Sequence, residues 1–173
     1  MKLQMAAAIR TMAKNIPQLV YTEVGVDGID AVRALWEKLN VHHAGMSPHF
    51  GGQLKLRTFE ARKQQLLAKA DAGRLWIELV ASASDEVKVA YCICTVSADG
   101  VGEIDSIFVE QHLRGQGIGS DLMRHALAWL DGMRVTSKVV SVLYGNDEAL
   151  AFYRHFHLYP RTIRLQENRG DTT

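Results

Sequence analysis

Arg114-Gly115-Gln116-Gly117-Ile118-Gly119-Ser120 is the stretch on which the reading of this chain turns. An alternating segment, residues 102–110, runs into it. After it, residues 120–130 place Leu122, Met123, Ala126, Leu127 and Leu130 on one helical face. Glycines at a strand-to-helix junction let the backbone take positive φ and approach a ligand closely. The amides that open a helix lack intrahelical partners and, with the helix dipole, favour an anion placed there. A pyrophosphate fits that description. Taken alone, the loop reads equally well as a tight turn, because glycine motifs often match by chance.

The surroundings of the loop narrow the choice of ligand. A dinucleotide fingerprint asks for a third glycine where Ser120 stands, and for an acidic residue about 20 positions on. Here the next strand, residues 138–143, runs into Tyr144-Gly145-Asn146 instead. The strand before the loop carries Glu103 and Asp105, whereas a central strand of that fold is apolar on both faces. No Gly-Lys-Ser/Thr follows the glycines, so a P-loop is ruled out. NAD is disfavoured and ATP nearly excluded.

Outward from the loop, Asp99-Gly100 is a hairpin turn joining residues 87–96 to 102–110. Residues 75–81 read as another strand, and residues 19–24, after Pro17, as the first. A helix opens at Asp30, with Ala31, Val32, Leu35, Trp36 and Leu39 at helical spacing, and fades near Gly45. Thr58 is the N-cap of a second helix that ends near Gly73. Asn146 begins a short helix carrying Ala149, Phe152, Tyr153 and Phe156, and residues 159–165 read as a last strand. The order β-α-α-β-β-β-α-β-α-β is an α/β (α+β) sheet flanked by helices. No repeat or linker divides it, so one domain is expected over 1–173, with a leader at 1–17 and a polar tail at 166–173.

Composition excludes several classes. The chain has 173 residues, 47% hydrophobic, enough to bury about 70% of its unfolded surface without a metal or disulfide staple. With 20 Lys+Arg against 19 Asp+Glu the net charge is +1, which gives no broad attraction to nucleic acid or an acidic membrane surface. No apolar run approaches the roughly 20 residues that cross a bilayer. The start has an early Lys2 and a short apolar run, but Arg10 and Lys14 interrupt it and no small-residue cleavage site follows. Cys92 and Cys94 are too few for a disulfide framework and read as small buried side chains. A reducing cytoplasm is the expected setting. His42, His43 and His49 form a weak metal set with no Cys or carboxylate to complete it, so no metal is expected.

Two blocks together resemble the GNAT superfamily of acyl-CoA-dependent N-acetyltransferases. The loop matches the superfamily pattern Arg/Gln-x-x-Gly-x-Gly/Ala. A second block at the expected distance, Asn146-Asp147-Glu148-Ala149-Leu150-Ala151-Phe152-Tyr153, resembles its Asn-x-x-Ala-x-x-Phe-Tyr segment. The resemblance covers residues 87–158 and implies a mixed, mostly antiparallel central sheet and acetyl-CoA as cosubstrate. It implies that the backbone of Ile107, Phe108 and Val109 pairs with the pantetheine arm and the acetyl carbonyl. The amides of Gly115, Gln116, Gly117, Ile118, Gly119 and Ser120 would hold the pyrophosphate, with Arg114 either on a phosphate or laid over the loop. Asn146 would contact the cofactor arm and Tyr153 would lie near the thioester sulfur. One departure stands out: the family continues Tyr-x-x-x-Gly-Phe, and here His157 holds the glycine position.

Acetyl transfer to an amine needs a base, oxyanion stabilisation and a proton for the departing thiolate. On a regular strand Glu103, Asp105, Ile107 and Val109 share one face, which lines a carboxylate up with the cofactor contacts. Glu103 also falls four residues before Ile107, where some histone-type members carry a glutamate base. Glu103 is the first candidate base, with Asp105 or a water chain as alternatives, and an amide near Val109 supplies the oxyanion donor. Tyr153, protonated at neutral pH with an ordinary pKa of about 10, suits the general acid. The family habit of building the acceptor site from the first two helices would put Trp36, Phe50 and the three histidines at its border. The acceptor is then an amine of a small molecule or peptide, attacked directly in a ternary complex. A non-catalytic acyl-CoA sensor on the same fold is the rival, kept open by His157, and a dinucleotide oxidoreductase is a weaker third. Dimers are common in that family, so a homodimer is an expectation without a marked interface.

Overall fold

Residues 75–81, LWIELVA, and 89–96, VAYCICTV, are apolar on both faces apart from Glu78 and become the buried centre of a sheet. The computed structural model describes residues 18–168, so the leader expected over 1–17 and the end of the polar tail lie outside the described residues. The order is β1 (Leu19–Val24), a 3-10 turn (Val26–Val32), α1 (Arg33–Met46), α2 (Gly51–Lys55), α3 (Phe59–Ala72), β2 (Arg74–Ser82), β3 (Lys88–Val96) and β4 (Val101–Val109). A second 3-10 turn (Gln111–Leu113), α4 (Ile118–Gly132), β5 (Ser137–Val140) and α5 (Asp147–Arg154) follow. The strands lie in the order β1-β2-β3-β4-β5, antiparallel except for the parallel β4–β5 pair. This is the mixed, mostly antiparallel sheet flanked by helices that the sequence leads one to expect.

Helices cover both faces. On one, Leu122, Met123, Ala126 and Leu130 of α4 and Tyr153 of α5 pack on Trp76, Val80, Cys92 and Cys94. On the other, Ile29, Val32, Leu35, Trp36, Phe59 and Leu66 pack on Ile77, Leu79, Tyr91, Ile93 and Phe108. Each fully buried Leu or Ile among them contributes roughly 1.5–3 kcal/mol. A polar pair also crosses to the sheet on the α4 side. Glu78, 8% exposed, sits with both carboxylate oxygens 2.9–3.0 Å from Nδ1 of His125. Local signals hold where expected: Thr58 Oγ1 accepts from the Ala61 amide at 3.2 Å, and Gly100 turns the β3–β4 hairpin at φ 81°.

Several expectations need correction. The helix read from Asp30 begins as a 3-10 turn and becomes α-helical only at Arg33, and α2 was not foreseen. Helix α4 starts two residues early, at Ile118, because Gly117 takes the left-handed N-cap position. Strand β5 stops at Val140 rather than continuing to Leu143, because β4 pairs with it only from Val101 to Ile104. The strand read over 159–165 does not form. No neighbouring strand accepts it, Pro160 has no amide to give, and Tyr159, Ile163 and Leu165 stay largely exposed.

The register of β3 on β4 carries the feature that shapes the site. Ile93 pairs with Ser106 while the next residue, Cys94, pairs with Ile104, so Asp105 is an extra residue in β4. A bulge of this kind breaks the two-residue alternation and bends the strand. Ile104, Ile107 and Val109 therefore face α4 and α5, while Phe108 faces α1. The shared face expected for Glu103, Asp105, Ile107 and Val109 is not formed.

Candidate functional site

Beyond Ile104, β4 and β5 part, and the strand after the bulge has no neighbour on that side among the described residues. A cavity of about 330 Å³ opens in the gap, within the usual range for a ligand pocket. Its walls are the 104–109 segment of β4, the 140–143 segment after β5, the glycine loop, the start of α5 with Tyr153, and Leu39, His42 and His43 of α1. Splayed strands leave main-chain groups able to pair with an extended ligand, as an added strand would.

At one end of the cavity lies the glycine loop. Gly115 and Gly117 have φ of 74° and 89°, and a β-carbon built on either meets nothing within 4 Å. These are the two positions where the loop needs glycine, and the space beside them is a cradle that a side chain would enter. The first bond of α4 is from the Asp121 amide to the Gly117 carbonyl, 3.0 Å, so the amides just before Asp121 precede the helix's own ladder. Such a set of donors at a fifteen-residue helix suits a pyrophosphate. Gly119 differs: a β-carbon there would make only an ordinary contact with Phe152 at 3.5 Å, so neither the cradle nor the packing requires glycine at this position. The Gln116 side chain lies outside the cavity lining, its Nε2 donating to the His112 carbonyl at 3.3 Å. Ile118 and Ser120 line the cavity.

Arg114 folds back over its own loop. Its Nε donates to the Val109 carbonyl at 3.1 Å, its guanidinium lies 5.8 Å from the centre of the Phe108 ring, and Glu148 approaches at 3.8 Å. Between the two readings of this residue, the covering one describes the geometry, and it ties the end of β4 to the loop. Asn146 Oδ1 caps α5 by accepting from the Ala149 amide at 3.0 Å, which leaves its NH2 end for the cavity it lines. Tyr153 is 7% exposed and lines the same cavity. Burial, then the neighbouring Cys92 and Cys94, hold its hydroxyl well above the usual phenol range, so it carries its proton at any physiological pH.

The carboxylates of β4 are placed differently from the expectation. Glu103 is outside the cavity lining and bonded to Lys69 Nζ at 2.6 Å. Asp105 reaches the lining, yet its side chain is 1% exposed and bound by Lys69 at 2.6 Å, Arg62 at 3.1 Å and Thr95. Burial pulls the Lys69 ammonium down, but the bonds to Asp105 and Glu103 outweigh it and leave its pKa raised. Both carboxylates thus clamp α3 to the bulge.

Of the residues expected at the acceptor border, His42 and His43 line the cavity. Trp36 is in the core against Phe59, ring centres 5.7 Å apart, and His49 and Phe50 lie outside the lining. Sequence reading missed Ser106 and the 140–143 segment, which reach the cavity only because of the bulge and the early end of β5. It also missed Glu148, for which the first turn of α5 was the available signal. Among the described residues no three His, Cys, Asp or Glu side chains gather as a metal set, and no helix is long and apolar enough to cross a membrane.

The model of a family described as "Acetyltransferase (GNAT) family" matches residues 36–158. No curated protein matches the sequence. Among solved structures, the chain resembles a mutant of the BH1408 protein from Bacillus halodurans at 16% identity, TM-score 0.65, covering 86% of this chain and 98% of that one. It resembles the aminoglycoside N-acetyltransferase AAC(6')-Iy in complex with CoA at 15% identity, TM-score 0.57, covering 90% and 96%. Glucosamine-6-phosphate N-acetyltransferase from Arabidopsis thaliana is similar at 13% identity, TM-score 0.58, covering 88% and 99%. At such identities the likeness is one of fold.

Proposed function

The chain belongs to the GNAT acetyltransferase family, and from that premise we propose that it transfers an acetyl group from acetyl-CoA to an amine of a small molecule or peptide, by direct attack in a ternary complex. The observation that carries this reading is the cleft itself. Unpaired backbone after the β4 bulge leads from Tyr153 and Asn146 to an open glycine cradle at a helix start. Acetyl-CoA supplies the activated acyl group as a thioester. The chain's part is to hold the pyrophosphate on the amides from Gly115 to Ser120 and the arm on the backbone of Ile107 to Val109. An amide near Val109 is the oxyanion donor, and Tyr153 gives its proton to the departing sulfur.

Small-molecule acceptors are favoured by the company the fold keeps, an aminoglycoside and an aminosugar-phosphate acetyltransferase. Neither β4 carboxylate is free to act as base without giving up its ion pair, so Glu103 carries less of the mechanism than its position first implied. We also assign the chain to a single domain and to the cytoplasm, where the buried thiols of Cys92 and Cys94 stay reduced.

The test is a thermal-shift titration with acetyl-CoA, CoA and NAD side by side, followed by thiol release in the presence of primary amines. A ligand at 100 times its dissociation constant adds about 2.7 kcal/mol, a shift of several degrees. Stabilisation by both CoA species but not NAD, with amine-dependent thiol release, is the expected result. Stabilisation without release would favour the sensor, and no shift with either CoA species would sink the reading.

A further inference from the structure

An amine acceptor enters the cavity largely as an ammonium ion and must lose a proton before its nitrogen can attack. Glu103 is turned away from the cavity, and Asp105 already carries Lys69, Arg62 and Thr95. One lies outside the cavity and the other is held on both of its oxygens, so neither presents a free base to the acceptor. His43 does.

His43 sits in the last turn of α1, half-buried, in the cavity wall that also holds Leu39 and the bulged segment of β4. Its ring nitrogens have no hydrogen-bond partner among the described residues. Burial first, then the charges of His42 and Arg57, hold the imidazole below the usual histidine range. The other charged groups lining the cavity are Asp105, neutralised by its clamp, and Arg114 and Glu148 beside the glycine loop. An imidazole kept neutral at pH 7 is a base ready for use.

Ser106 also lines the cavity, with its hydroxyl buried beside that of Tyr91. Buried hydroxyls are nearly always satisfied, and here each is the other's available partner.

Resting on the acetyltransferase reading above, we propose that His43 is the general base for the acceptor amine. Two protons leave the ammonium in the course of the reaction. His43 takes the first, which frees the nitrogen lone pair to form the N–C bond, and passes it to solvent. As the C–S bond breaks, Tyr153 protonates the sulfur and recovers its proton from the second N–H. The sum is an amide, a free thiol and one proton released.

The experiment is thiol release from acetyl-CoA with glucosamine, spermidine and a short peptide as amine probes, followed across the neutral pH range. Wild type is compared with His43→Gln, Ser106→Ala and the exposed-site control His155→Gln, and acetyl-CoA affinity is measured for each. His43→Gln should lower kcat/KM by about 100-fold or more and abolish the rising acid limb of its pH profile. Its acetyl-CoA affinity should stay within about twofold of wild type, because the glycine cradle is untouched. Ser106→Ala, whose hydroxyl faces Tyr91, should keep the acid limb and run within about threefold of wild type. If His43→Gln retains the limb and runs within about threefold of wild type, the assignment is overturned while acetyl transfer stands. If wild type releases no thiol with any of the probes, acetyl transfer itself falls and the role of His43 with it.

Discussion

His157 holds a left-handed backbone, φ 59°, at the end of α5. The Leu158 amide bonds back to the Tyr153 carbonyl at 3.2 Å and the His157 amide to the Arg154 carbonyl at 3.1 Å, the paired bonds that close a helix on a left-handed residue. The expected glycine is missing, yet the backbone it would have served is kept, and Tyr153 sits in the turn those bonds close. The strain of a β-carbon in that conformation is about 1–2 kcal/mol, partly offset by the unfolded-state entropy glycine adds. His157→Gly should therefore raise stability by about 1 kcal/mol in urea denaturation and leave acetyl-CoA binding unchanged. A loss of stability would mean that the imidazole makes a compensating contact. Tyr153 itself is tested by Tyr153→Phe, which keeps the ring and removes the proton. The expected outcome is a fall in kcat of about 100-fold with acetyl-CoA affinity retained. Unchanged turnover would remove Tyr153 from the proton path.

At the level of elements, the glycine loop and the β4 bulge do different work and were unequally legible. The loop could be read from the order of residues, because positive φ and a helix start leave a compositional mark at Gly115 and Gly117. Gly117→Ala should weaken acetyl-CoA binding by about 10-fold or more, since its φ of 89° resists a β-carbon and the cradle loses depth. Gly119→Ala, whose β-carbon meets Phe152 at an ordinary 3.5 Å, should bind within about threefold of wild type. Calorimetric titration of the two variants separates a ligand cradle from a plain turn, for which both would bind alike. The bulge left no such mark. Nothing in Glu103-Ile104-Asp105-Ser106 says that Asp105 is the extra residue; that follows from pairing with β3 and from the clamp of Lys69 and Arg62. Periodicity continued past it and so put Glu103 on the wrong face. The same gap explains residues 159–165, where alternation and β-branching read as a strand although the sheet has no place for it.

For the whole molecule, the groups that titrate out of their ordinary ranges fix the shape of stability against pH. Burial raises Tyr91 and Tyr153, and Cys94 is raised by its bond to Cys92 and by burial. Burial with Asp121 brings Tyr21 from 10.0 to about 12, and the clamp leaves Lys69 raised. Each of these keeps its proton in the folded state to higher pH than in the unfolded chain. The folded state then binds more protons, so stability is complete below pH about 9 and falls as pH rises beyond it. His43 acts at the other end. Its folded pKa lies below the ordinary 6.5, so the unfolded chain binds the proton first and stability falls as pH drops through that value. Urea midpoints should therefore form a plateau from pH about 7 to about 9 with a loss on both sides. Two substitutions assign the limbs. His43→Gln should flatten the acid side without moving the alkaline one. Tyr91→Phe should blunt the alkaline side. The Tyr91 hydroxyl sits beside that of Ser106 but outside bonding geometry, so removing it takes away an unsatisfied group. At pH 7 that variant should be as stable as wild type or up to about 1 kcal/mol more so. A clear loss there would mean that the two hydroxyls are bonded to each other and that the pair contributes to the fold.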